Sequence, residues 1–107
     1  MPNQKDLEKA LRYSELRKQG KYDEASKIDL SHADLTYANL SHADLSLVDL
    51  TYADLSLANL SHVDLSYADL ENANLSGADL SSANLSHANL SGAKISIGNV
   101  NRRIESD

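Results

Sequence analysis

The chain of 107 residues has no cysteine, no phenylalanine and no tryptophan. Without cysteine there is no disulfide framework and no thiolate metal site. Its five aromatic residues other than histidine are all tyrosine. No apolar stretch approaches the ~18 residues that a membrane span needs. The opening residues, Met1-Pro2-Asn3-Gln4-Lys5-Asp6, lack the apolar core of a secretion signal. A cytoplasmic protein without membrane contact is expected. Lysine and arginine are missing from residues 28–93, a stretch that holds nine acidic residues. The formal net charge is −6, which argues against direct nucleic-acid binding. At this length one domain is expected.

What is present is a period of five. Leucine recurs at every fifth position from Leu30 to Leu90, and Ile95 and Val100 extend the series. Two residues before each stands a small or β-branched residue. Ile28 is the first, alanine fills most positions, Val48 and Val63 interrupt, and Gly98 is the last. Asp or Asn lies between the two, except at Lys94. Ser or Thr follows each leucine, except at Glu71 and Asn101.

A helix does not explain this period. At about 100° per residue, five residues overshoot a full turn by roughly 140°. Successive leucines would scatter around the cylinder with no buried stripe. A straight strand fails as well, because an odd period puts successive leucines on opposite faces. The pattern works when the chain turns a corner in every unit. Alanine and leucine then point inward, Asp or Asn points outward, and Ser/Thr with the residue after it makes the corner. Repetition coils the chain into an all-β solenoid filled with leucine and alanine. So narrow a core has no room for larger rings at each level, which accounts for the missing Phe and Trp.

These units resemble the pentapeptide-repeat family, with its aliphatic centre, small residue two before it and polar residue between. The resemblance runs from residue 28 to about 100. It implies a right-handed quadrilateral β-helix with four units per coil. About four coils, ~4.8 Å apart, would make a tube roughly 18 Å long. The chain then divides into an N-terminal helical cap (1–27), the β-helix (28–100) and a C-terminal tail (101–107). The variable residues carry a second echo, every fifteen positions: Tyr37, Tyr52 and Tyr67, or Val48 and Val63. Alone it suggests three units per coil; the square family fold makes it the trace of a duplicated three-unit block.

The ends differ. Residues 3–19 read as a helix capped by Asn3, with acids early, Arg17 and Lys18 late, and Gly20 as its stop. Leu7, Ala10 and Leu11, extended by Ser14, form its narrow apolar face. Residues 22–27 suggest a short second helix. The helical segment would cover the first coil, whose open edge otherwise exposes strand groups and core leucines. After Ile95, residues Ile97, Val100 and Ile104 either fold over the last coil or leave an apolar end for a second copy. The family resemblance adds that some members form homodimers through this end.

Four units per coil stack residues twenty apart. Asp29, Asp49, Asp69 and Asn89 form one column, and Asp34, Asp54, Asn74 and Lys94 another. Asp44, Asp64 and Asn84 form a third, and Asn39, Asn59, Asp79 and Asn99 the fourth. Asp and Asn serve equally as short acceptors that bond turn N–H groups. The fifth residues face solvent and are large in the first two coils. His42 and His62 share a column, but two ligands make a poor zinc site, and neither metal nor cofactor is expected. No pocket, phosphate loop or H-E-x-x-H motif supports catalysis.

The expectation is a non-catalytic binding or scaffold module that presents a rigid acidic surface to another protein. Its candidate surface comprises Tyr37, Leu47, Tyr52, Leu57 and Tyr67 at the corners. Asp34, Asp44, Asp49, Asp54, Asp64 and Asp69 provide its acidic columns. One branch of the family resembles B-DNA and binds DNA gyrase, so a DNA-mimicking topoisomerase inhibitor is the alternative. A purely structural spacer is the third.

Overall fold

A computed structural model describes residues 1–97 and 100–103 of the chain. Each five-residue unit closes on a tight turn. Ala33 N–H donates to Leu30 O at 3.1 Å, and the same bond repeats unit by unit to Ala93 and Leu90. The third residue of each turn has φ near +60°, from His32 (62°) to His87 (60°), with glycine at 77 and 92. An i→i+3 bond with positive φ at the third position is the type II pattern. Asp/Asn fixes the entry to each turn. Asp54 Oδ1 accepts from Ser56 N–H (3.0 Å) and Ser56 Oγ (2.7 Å), and Asn59 does the same with Ser61.

Successive coils pair in parallel with a twenty-residue register. Bridges join Asp34 to Asp54, Asn39 to Asn59, Asp44 to Asp64 and Asp49 to Asp69, and each of these columns steps on by another twenty. Leu35 N–H donates to Asp54 O (2.8 Å), Tyr37 N–H to Ser56 O (3.1 Å), and Asp54 N–H back to Ala33 O (2.9 Å). A coil therefore holds four units. The fifteen-residue echo does not mark the coil, because Tyr37, Tyr52 and Tyr67 fall on three different corners.

Inside, Leu30 through Leu75 are at most 1% exposed at every fifth position. Val48 and Val63 take the alanine position and are 1% exposed; the twenty-residue register puts Val48 in a column with Ile28, Ala68 and Ala88, and Val63 in one with Ala43 and Ala83. Toward the C-terminal end the core thins. Leu80, Leu85 and Leu90 are only half-buried, as are Ala78, Ala83 and Ala88. Three named strands lie there: β1 (Asn74–Leu75), β2 (Lys94–Ile97) and β3 (Val100–Arg103). β1 pairs with β2 in parallel, and β3 folds back antiparallel along β2, pairing Lys94 with Arg103. Asn101–Arg103, read above as tail, are thus part of a strand that covers one edge. Gly98, Asn99 and Ile104 lie outside the described residues.

The N-terminal segment forms α1 (Gln4–Lys18) and α2 (Tyr22–Ala25). Asn3 caps α1 by accepting from Asp6 N–H at 3.1 Å. Gly20, at φ +76°, ends it in a Schellman arrangement: Gly20 N–H bonds Arg17 O and Lys21 N–H bonds Leu16 O. The buried face differs from the expected one. Leu11 is 47% exposed, whereas Tyr13 and Leu16 are buried beside Ala10 and Ser14. The reason is what α1 has to meet. The first coil has no coil before it, and α1 substitutes for one. Asn3 N–H donates to Asp34 O (3.0 Å), and Asp34 N–H donates to the Asp6 carboxylate (2.8 Å). Asp44 N–H donates to Ser14 Oγ (2.8 Å), and Tyr13 Oη donates to Ser46 O. In later coils these same groups bond to the coil before them.

Candidate functional site

The outward surface consists of faces that carry Asp/Asn and corners that carry the fifth residues. At every fifth position from Asp29 to Asn89 the Asp or Asn accepts from the N–H two residues on. This local bond explains why the two residue types interchange. It also holds three carboxyls below the usual range. Hydrogen bonds from Ser31 lower Asp29, those from Thr36 lower Asp34, and those from Ser81 lower Asp79. Burial pushes the Tyr13 hydroxyl up, with Arg17 opposing.

The candidate aspartates occupy three faces. Asp34 and Asp54 share one, Asp44 and Asp64 the next, and Asp49 and Asp69 a third. Asp34 and Asp49 are exposed; Asp54, Asp64 and Asp69 lie half-buried between flanking coils. Asp44 is set under the cap, with its carboxylate 3.5 Å from Arg17 Nε, an ion contact without hydrogen-bond geometry. The same guanidinium lies over the Tyr22 ring, 4.7 Å from its centroid. Asp29 stands where the chain enters the first coil, near Lys9, and no bridge joins it to Asp49 among the described residues.

The corner residues form ladders. His32 stacks on Tyr52 (5.1 Å between ring centroids), His42 on His62 (4.7 Å) and Tyr67 on His87 (4.7 Å), all nearly parallel. The same register places Tyr37 with Leu57, and Leu47 with Tyr67. Glycine stands below Leu57 and below Asn72, whereas His87 stands below Tyr67. A Cβ on Gly77 would stand 2.8 Å from Leu57 Cδ2, and one on Gly92 would collide with Asn72 Oδ1. The left-handed backbone at these corners cannot be read from tyrosine and leucine, which rarely adopt it. The available signal was that Asn72, Gly77 and Gly92, which adopt it readily, all fall at the fifth position. Imidazole lone pairs lie in the ring plane, so the parallel, stacked His42 and His62 rings do not direct theirs to one point. Among the described residues no group of three or more His, Asp or Glu converges, and no helix is long and apolar enough to cross a membrane.

Coiled backbone, an inward leucine column and variable outward corners define a β-solenoid repeat protein. Residues 28–66 and 58–96 match pentapeptide repeats, in eight copies. The chain belongs to the pentapeptide-repeat family, whose members are generally non-catalytic. It is 41% identical to alr5209, a pentapeptide repeat protein from Nostoc PCC 7120, over 75% of this chain and 74% of that one, with a TM-score of 0.27. HetL, a pentapeptide repeat protein involved in heterocyst differentiation regulation in Nostoc sp. strain PCC 7120, is 38% identical. That similarity covers 61% of this chain and 39% of HetL, with a TM-score of 0.38. No curated protein sequence matches the chain.

Proposed function

We propose that this protein is a non-catalytic binding or scaffold module of the cytoplasm, built as a right-handed quadrilateral β-helix of about four coils. It presents a rigid acidic surface to another protein. One observation carries the reading. The Asp/Asn, Ser/Thr, Ala and Leu positions are all committed to turns, ladders or core, whereas Tyr37, Leu47, Tyr52, Leu57 and Tyr67 stay 51–63% exposed. Large apolar side chains held at that exposure on a stiff frame are what a protein partner buries. Affinity capture with the wild type and with Tyr37→Ser/Tyr52→Ser/Tyr67→Ser tests it. The reading predicts a partner that the folded variant loses. Identical capture by both removes the corner surface and favours a structural spacer.

Stacked carboxylates at Asp34/Asp54 and Asp49/Asp69 support a second reading, a DNA-mimicking inhibitor of a topoisomerase. It predicts inhibition of gyrase supercoiling by added protein, and no inhibition at micromolar concentration removes it. The half-buried Leu80, Leu85 and Leu90 support pairing of two copies through the C-terminal end. Solution mass at high concentration decides between a dimer and an 11.6 kDa monomer.

A further inference from the structure

The four sides of the tube are not equivalent. Among the described residues, the five exposed large apolar residues of the tube fall on three corners: Tyr37/Leu57, Tyr52 and Leu47/Tyr67. The fourth corner carries His42, His62 and Ser82. One face lies between the Leu47/Tyr67 ridge and the His32/Tyr52 ridge. It bears Asp49, Asp69 and Glu71 and, among the described residues, no Lys or Arg. At its N-terminal end this face opens into a cavity of about 330 Å³ between the cap and the first coil. Tyr22 and Asp23 line it from the α2 side, Leu47 and Asp49 from the tube. Arg17, the one cation among the described residues that line it, is already engaged by Asp44 and by the Tyr22 ring. Asp23 and Asp49 have no ion pair among the described residues.

We infer that this face, from the cavity down to Asp69, docks a basic amphipathic peptide segment of a protein partner. The inference rests on the protein-binding reading above and names the partner's chemistry. Lysine or arginine side chains of the segment lie against Asp23, Asp49 and Asp69. Their alkyl stems and neighbouring aliphatic residues pack on Leu47, Tyr67 and Tyr52. Long cationic side chains suit such a face because their stems cover apolar surface while the charge stays at the carboxylates, and tyrosine rings attract the cation. An acidic segment would meet repulsion from Asp49, Asp69 and Glu71. A neutral apolar one would leave the carboxylates desolvated without a partner.

The test uses the full chain and a short synthetic peptide alternating lysine and leucine. Its controls are glutamate–leucine and lysine–serine peptides. Binding is followed by fluorescence anisotropy at low salt. Asp49→Asn/Asp69→Asn removes two charges from the face, and Asp64→Asn/Asp79→Asn removes two from other faces. Asparagine keeps the turn acceptor, as Asn59 and Asn84 do, so both variants fold. The lysine–leucine peptide is expected to bind saturably and more tightly than either control. Asp49→Asn/Asp69→Asn should weaken it roughly three- to tenfold, and the control pair less than about twofold. Absent saturable binding, equal loss in both variants, or equal binding of the glutamate–leucine peptide overturns the inference. If affinity capture finds a partner lost by the tyrosine variant whose contacting segment is not basic, the binding module stands and this inference alone fails.

Discussion

At the residue scale, each side chain has one local task, and the task explains which substitutions the repeat tolerates. Asp79 fixes its turn through Ser81 N–H (3.0 Å) and Ser81 Oγ. Asp79→Asn keeps that acceptor and should fold like wild type, whereas Asp79→Ala should melt earlier. The two also separate by pH. The folded carboxyl of Asp79 lies below its unfolded value, so its contribution is complete above about pH 4 and is lost as pH falls through the lower folded value. Asp79→Asn should therefore flatten part of the stability loss below about pH 4 in denaturant titrations. The corners make the opposite demand. Ser82 is exposed at φ +58° and takes part in no ring stack. Ser82→Gly relieves the left-handed strain but adds unfolded-state entropy, for a net gain of about 0.5 kcal/mol. Ser82→Val, β-branched in the same conformation, should destabilise, as urea titration of both variants will measure.

At the element scale, α1 is a surrogate coil. Ser14→Ala leaves Asp44 N–H without its 2.8 Å partner and should cost about 1–3 kcal/mol. Tyr13→Phe, which takes the hydroxyl donor away from Ser46 O, should act in the same direction. Hydrogen exchange should show the loss first at Asp44 and its neighbours in the first coil. Part of this element can be read from the sequence. Asn3 and Gly20 announce both ends of α1, because a short acceptor at the start and a left-handed residue at the stop are chemically specific. Its role as a surrogate cannot be read that way. Asp6, Tyr13 and Ser14 look like ordinary helix residues, and only the missing coil beneath them gives them partners. Of the expected face, Leu7, Ala10 and Ser14 do turn inward, whereas Leu11 is exposed and Tyr13 and Leu16 are buried instead, since the helix is oriented by hydrogen bonds as well as by apolar burial.

At the scale of the whole molecule, stability is a sum over stacked levels. Leu60, at 0% exposure, has coils on both sides, whereas Leu85 is half-buried toward the C-terminal end. Leu60→Ala should cost about 2–5 kcal/mol and Leu85→Ala clearly less, as chemical denaturation will measure. The solenoid itself is plain in the period of five, because neither a helix nor a straight strand can bury leucine at that spacing. The number of units per coil is not, since a period of five demands only one corner per unit and the echo at fifteen competes with twenty. That register decides which residues share a face, and with it the ridges of Leu47/Tyr67 and Tyr52 beside Asp49 and Asp69. It is tested most directly by nuclear Overhauser contacts between corner rings. The twenty-residue coil predicts contacts for His32–Tyr52, His42–His62 and Tyr67–His87, at 4.7–5.1 Å between centroids. Contacts of Tyr37 with Tyr52 and of Tyr52 with Tyr67 in their place would contradict it.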